Sequence, residues 1–160
     1  MEVLEKGEQL RRSGADIIHL CVGEPDFPTP QCVVEAASRA LASGLTHYTH
    51  SMGDPDLRAA IVSWYARRYS VSLDPEQIIV TNGSSPALLL TLAALLDKGD
   101  EVLVADPGYA CYPNFALFLD ARVRRFPLNA ADGFAYPPER IAEMVARHTK
   151  VLIVNSPANP

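Results

Sequence analysis

Three short apolar runs constrain this chain more than anything else in it: Gln77–Thr81 (QIIVT), Glu101–Ala105 (EVLVA) and Val151–Val154 (VLIV). Each is short for a helix, rich in branched side chains and apolar on both faces, the pattern of a strand buried on both sides of a sheet. Helical segments alternate with them. Pro86–Leu96 is almost wholly apolar, and Tyr112–Leu119 and Pro138–Arg147 read as further helices, with Arg122–Phe126 as a fourth strand. Upstream, Leu57, Ile61, Trp64 and Tyr65 recur at helical spacing, which predicts an amphipathic helix over 55–69 with Asp54 as its N-cap and Pro55 at its first position. The order β-α-β-α-β-α-β predicts an α/β protein of three layers, α/β/α, with a mainly parallel sheet. The first 50 residues are looser: an opening helix, a short strand at Asp16–Val22, the loop GEPDFPTP, and a helix from about Gln31 to Ser43.

Composition excludes several functions. At 160 residues, 48% of them apolar, the chain is long enough for one globular domain with a real core. A net charge of −5 supplies no basic field for nucleic acid or anionic lipid, so neither is expected as a partner. The longest apolar run, Ala87–Leu96, is about half the ~20 residues a bilayer requires, so no membrane span is expected. The opening MEVLEKGEQL lacks a basic stretch followed by an apolar one, and the expectation is a cytoplasmic protein. Cys21, Cys32 and Cys111 are odd in number and form no CxxC pair, so they are expected to be free, buried or half-buried thiols. His47 and His50 fall in the turn-like THYTHSMGDP with no third ligand in view. They are expected to be solvated, with no metal site. Arg122, Arg124 and Arg125 are expected on the wet side of a strand that alternates around Val123 and Phe126.

In parallel sheets ligands bind beyond the carboxyl ends of the strands, which singles out TNGSSP, DPGYACYP and NSPANP. In the first, a strand runs into Gly83, Ser84 and Ser85, and Pro86 opens a helix whose first N–H groups point back into the loop. Close backbone approach at glycine, two hydroxyls and the helix dipole make a phosphate cradle, although a plain capping loop fits the same residues. The pattern is neither GxGxxG nor GxxxxGK[ST], so dinucleotide and P-loop readings lack their required residues. In the second, the turn Asp106-Pro107-Gly108 delivers Tyr109 to the mouth of the sheet, either as a platform for a planar ring or as packing. In the third, Asn159 offers an amide to a ring oxygen or simply makes a turn before proline. Together the three ends suit a phosphorylated aromatic cofactor.

At these residues the chain resembles the class I/II pyridoxal-phosphate-dependent aminotransferases of fold type I. The blocks IHLCVGEPDFPTP, THYTHSMGDPDLRAAI, IIVTNGSSPALLLTL, GDEVLVADPGYACYP and VLIVNSPANP match the family's signatures in order and spacing. The resemblance implies pyridoxal 5'-phosphate as cofactor and an amino acid and a 2-oxo acid as substrates. By it, Gly83, Ser84 and Ser85 hold the cofactor phosphate, Tyr109 stacks on the pyridine ring where many members have Trp, and Asn159 bonds the ring hydroxyl oxygen. Gly23 corresponds to a backbone position that touches the substrate carboxylate. Tyr48 corresponds to a tyrosine that reaches the phosphate of a neighbouring subunit, which implies a homodimer. Pro86 stands where many members have Gln, at a first helical position that tolerates proline.

The resemblance divides the chain into an N-terminal segment with the substrate loop, residues 1–45, and the first part of the cofactor-binding large domain, residues 46–160. The remainder of the family's length is expected to be absent. That remainder carries the Schiff-base lysine, and the lysines present, Lys6, Lys98 and Lys150, all read as solvated. No catalytic residue is therefore assigned, and the 160 residues alone are expected not to transaminate. Two other functions stay open: a non-catalytic dimerising or regulatory module, and a C–S lyase on the same scaffold, because the cofactor supplies the electron sink and the pocket chooses the bond.

Overall fold

The computed structural model describes residues 2–21 and 23–159, which form two compact units divided between Tyr48 and Thr49. The first unit contains two helices, α1 (Glu2–Arg12) and α2 (Gln31–Ala42), neither of which buries a side chain. On α1, Glu8 accepts from Arg11 Nε and Nη2, each at 2.8 Å, and from Arg12 Nε at 3.0 Å. Hydrogen bonds from Arg11 and then Arg12 lower the Glu8 pKa to about 2. The strand expected at Asp16–Val22 does not form: residues 16–21 have no regular structure, Ile18 and Leu20 are exposed, and Val22 lies outside the described residues. Alternating apolar residues cannot make a strand without a partner, and this unit holds no other strand among its described residues. Cys21 and Cys32, expected to be at least half-buried, are exposed for a related reason: these segments have no core to enter. Cys111, in the second unit, is half-buried, and all three thiols are free.

The second unit begins with α3 (Pro55–Tyr69), where the Asp54 carboxylate accepts from the N–H groups of Asp56 and Leu57 at 2.9 and 3.1 Å, the expected N-cap. The apolar stripe of α3 is not buried within the unit. Trp64, Tyr65 and Tyr69 instead contact one another, with ring centroids 5.2–5.5 Å apart. The side chain that α3 does bury is Arg58, whose Nη1 donates to Pro75 O at 3.1 Å while its Nε has no partner.

Gln77–Thr81 departs from expectation. Gln77 is taken up in a 3-10 turn (Pro75–Gln77) closed by a reciprocal cap, in which Asp74 Oδ1 accepts from Glu76 N and Gln77 Oε1 accepts from Asp74 N. Residues 78–81 are extended but unpaired; Val80 N–H finds Met52 O at 2.9 Å, and Ile79 is exposed. Helix α4 (Ser84–Leu95) then starts two residues earlier than expected. Pro86 is therefore its third residue, still within the first turn, where a missing N–H leaves nothing unsatisfied.

The sheet has three parallel strands rather than four, in the order β2 (Arg122–Pro127), β1 (Glu101–Asp106), β3 (Thr149–Leu152). Helices α5 (Cys111–Phe118) and α6 (Pro138–Met144) connect them. Central β1 buries Val102 and Val104 with Ala116 and Ala121 on one face, and Leu103 with Phe126 and Ile141 on the other. A sheet with a core on each face is the expected α/β/α arrangement. Val123 packs with the first cluster and Phe126 with the second, so the two lie on opposite faces and the arginines do not share one wet side. All three are exposed because β2 is an edge strand. Two of them tie down backbone: Arg122 Nε donates to Gly99 O, and Arg124 Nη1 donates to Met144 O at the last turn of α6, which ends three residues sooner than expected.

Candidate functional site

The loop before α4 is built by local hydrogen bonds. Gly83 N–H donates to Thr81 O at 2.9 Å, and Thr81 Oγ1 donates to Gly83 O at 2.6 Å. Gly83 is the N-cap residue with φ +89° and ψ 177°, a conformation that side chains other than glycine's strongly disfavour. No side chain caps α4, so the N–H groups of its first turn stay free of such a partner, and Ser84 and Ser85 are exposed beside them. Free N–H donors, two hydroxyls and the positive end of a helix form a donor set that suits a phosphate. Among the described residues no group of three metal-ligating side chains exists, and His47 and His50 are exposed.

At the carboxyl end of β1 the chain turns through Pro107 and Gly108. A Cβ at Gly108 would lie 2.6 Å from Ala105 O, so the backbone doubles back more closely than any other residue permits. The turn presents Tyr109, half-buried, with its ring against that of Tyr112 in an edge-to-face contact, centroids 5.3 Å apart and planes at 80°. Hydrogen bonding and charge repulsion from the Cys111 thiol push the Tyr109 hydroxyl above its ordinary value. Tyr109 is therefore neutral at physiological pH. Tyr112 lies on α5, which packs against α4.

Beyond β3 the chain runs through Asn155, Ser156, Pro157 and Ala158 to Asn159. The Asn155 amide, oriented by its partners, accepts from Tyr112 Oη at 3.1 Å and from Asn159 N at 3.0 Å, and donates to Pro157 O at 3.1 Å. The Tyr136 hydroxyl brackets the Asn155 backbone, accepting from its N–H at 3.1 Å and donating to its C=O at 3.3 Å. The structure thus joins Tyr109 and Asn159 through Tyr112 and Asn155. Gly23 and Tyr48 belong to the first unit, where Gly23 is exposed in an irregular segment and the Tyr48 side chain is fully exposed. Lys6, Lys98 and Lys150 are exposed, and Lys98 pairs with Asp120 at 3.2 Å.

The sequence profile of the family described as aminotransferase class I and II matches residues 15–160. The chain belongs to the class I and II aminotransferases. It is 43% identical over 155 residues to the aspartate/prephenate aminotransferase of Thermus thermophilus, a match that covers 97% of this chain and 40% of that protein. It is 36% identical over 159 residues to the aspartate aminotransferase of Pyrococcus horikoshii, covering 99% of this chain and 40% of that one. Among solved structures, the Thermus thermophilus aspartate aminotransferase with maleate superposes with a TM-score of 0.94 at 43% identity, over 99% of this chain and 42% of the other. The chain therefore spans about 40% of the length of the relatives it matches. The high similarity over nearly every residue makes the α/β architecture that of the aminotransferase fold.

Sequence reasoning missed Tyr112, Tyr136 and Asn155. Two of them carried a signal: Asn155 is the first polar residue after an apolar strand, and Tyr112 is one helical turn from Tyr109. Tyr136 carried none, because it reaches Asn155 from a loop 19 residues away.

Proposed function

We propose that this chain supplies the phosphate-binding and ring-binding side of a pyridoxal 5'-phosphate site in an enzyme that moves an amino group between an amino acid and a 2-oxo acid. The uncapped first turn of α4 carries the reading: a helix start that leaves its N–H groups free beside Ser84 and Ser85 is a donor set waiting for an anion. When bound, the cofactor supplies the electron sink that amino-group transfer requires. Gly83, Ser84 and Ser85 hold its phosphate, Tyr109 lies against its ring, and Asn159 donates its amide to the ring oxygen. Gly23 meets the substrate carboxylate, and Tyr48, with its side chain free in solvent, contributes to the site of a second subunit in a homodimer. In this reading residues 1–45 form the substrate-side segment and 46–160 the first part of the cofactor-binding domain. The names of the Thermus and Pyrococcus relatives support aspartate as one candidate substrate.

Lys6, Lys98 and Lys150 are exposed, and an exposed, protonated lysine is a poor nucleophile at neutral pH. That observation favours a second reading for these 160 residues in isolation, a cofactor-binding module that does not turn over. Titration of the full chain with pyridoxine 5'-phosphate, which has no aldehyde for surface lysines to capture, tests the binding claim by NMR amide shifts. Saturable binding of roughly millimolar order, competed by inorganic phosphate and moving the amides of Ser84 and Ser85, is expected. Absence of saturable shifts there would refute the cofactor reading.

A further inference from the structure

Two of the site's elements, Tyr109 after β1 and Asn159 after β3, sit on different connections of the fold, and neither is held by the strand that precedes it. What links the two is one amide, which bonds Asn159 directly and reaches Tyr109 through Tyr112. Asn155 Oδ1 accepts from Asn159 N at 3.0 Å and from Tyr112 Oη at 3.1 Å, and the Tyr112 ring stands edge-on to Tyr109 at 5.3 Å. The third bond of the amide, from Nδ2 to Pro157 O at 3.1 Å, closes the loop between Asn155 and Asn159 on itself. The backbone from which this amide projects is itself held, because the Asn155 N–H and C=O are both engaged by the Tyr136 hydroxyl. Tyr136 in turn packs against Phe126, with centroids 5.7 Å apart, and Phe126 is a fully buried residue of β2. A continuous line of contacts therefore runs from the core, through Tyr136, to an amide that brings the Asn159 backbone and the Tyr112 phenol together.

We propose that Asn155 is a positioning residue: it fixes the spacing between the aromatic platform at Tyr109 and the amide at Asn159, and so the width of the slot offered to a planar ring. The proposal rests on the cofactor reading given above. Asn155 needs both an acceptor and a donor for this, and the two functions separate by substitution. Asn155→Ala removes both. Asn155→Asp keeps the acceptor for Tyr112 and Asn159, loses the bond to Pro157 and sets a charged oxygen against that carbonyl. Tyr112→Phe removes one hydroxyl and leaves the ring against Tyr109.

Paired NMR titrations of the full chain with pyridoxine 5'-phosphate and with inorganic phosphate decide the question, because inorganic phosphate reports on the α4 cradle alone. Asn155→Ala should bind pyridoxine 5'-phosphate roughly tenfold more weakly, the loss of about one hydrogen bond's worth of alignment. Its affinity for inorganic phosphate at Ser84 and Ser85 should stay unchanged, and Asn155→Asp, which keeps only the acceptor, should recover part of the ring-dependent loss. If Asn155→Ala binds both ligands as the parent does, the positioning role is wrong while the cofactor reading stands. If the parent itself binds pyridoxine 5'-phosphate no more tightly than inorganic phosphate, the cofactor reading is what has failed. Should Asn155→Ala lose its folded spectrum, Tyr112→Phe decides: weaker ring-dependent binding with shifted Tyr109 and Asn159 amides supports the line through Asn155, and unchanged shifts and affinity overturn it.

Discussion

EVLVA and QIIVT are nearly interchangeable as sequence, yet they come to opposite ends in the structure. Glu101–Ala105 lies in β1 with a neighbour on each side, and Val102, Leu103 and Val104 are all but completely buried. Residues 78–81 run extended with no strand partner, their one backbone bond to a distant segment being Val80 N–H to Met52 O, and Ile79 is 65% exposed. Both runs have the branched side chains of a strand buried on two faces. The difference is that β1 found pairing partners and helices to cover it, and the other segment, among the described residues, did not. Apolar patterning states what a segment requires; pairing decides whether it becomes a strand.

The largest expected effect tests that contrast directly. Leu103→Ala removes a fully buried side chain and should cost about 2–5 kcal/mol, enough to unfold a marginal chain outright, whereas Ile79→Ala should cost less than about 0.5 kcal/mol. Urea unfolding of the two variants side by side makes the comparison; equal losses would mean that segment 78–81 is buried after all and the contrast would collapse.

A smaller effect asks what anchors the unpaired segment. Arg58 Nη1 holds Pro75 O, and Ile78 N–H bonds the same carbonyl at 3.2 Å. Arg58→Leu should destabilise by about 1 kcal/mol, and amide exchange at Ile78 and Val80 should quicken. A more stable variant would instead identify the buried guanidinium, with its unpartnered Nε, as a net burden.

The smallest effect belongs to the first unit. The folded-state pKa of Glu8 lies below the ordinary carboxylate range, so its pairing with Arg11 and Arg12 supports α1 at pH values above that range. The support is lost as pH falls through about 2. An NMR titration of the Glu8 carboxyl should show this depressed midpoint together with fraying of the last turn of α1, and Glu8→Gln should remove the part of that fraying that follows the Glu8 midpoint. An ordinary midpoint for Glu8 would show that the arginine contacts are too transient to matter, as solvent-exposed pairs often are.

Much of the architecture was legible because it rests on local rules. Asp54 and Pro55 announced the start of α3, and apolar runs placed β1 and, within two residues, β3. Gly83, Ser84 and Ser85 were recognisable beside a helix start, although the helix claims both serines and turns the expected loop into its first turn. The expected strand at Asp16–Val22 was misleading, because a short apolar stretch carries no information about whether a partner exists. The arginines of β2 were misassigned for a simpler reason. Val123 and Phe126 are three residues apart, and an odd spacing puts them on opposite faces of a strand.

The sequence by itself determined the helices, the three strands that pair, the parallel α/β class, the family and the segments that follow β1 and β3, since each follows from periodicity, turn chemistry or ordered motifs along the chain. Tertiary structure alone decided which apolar runs paired, that an arginine rather than the aromatic stripe of α3 is buried, and that Asn155 joins Tyr109 to Asn159 through Tyr112. These outcomes depend on groups many residues apart meeting at hydrogen-bond distance, and no local pattern encodes that meeting: Tyr136 reaches Asn155 although β2 and β3 flank β1 on opposite sides.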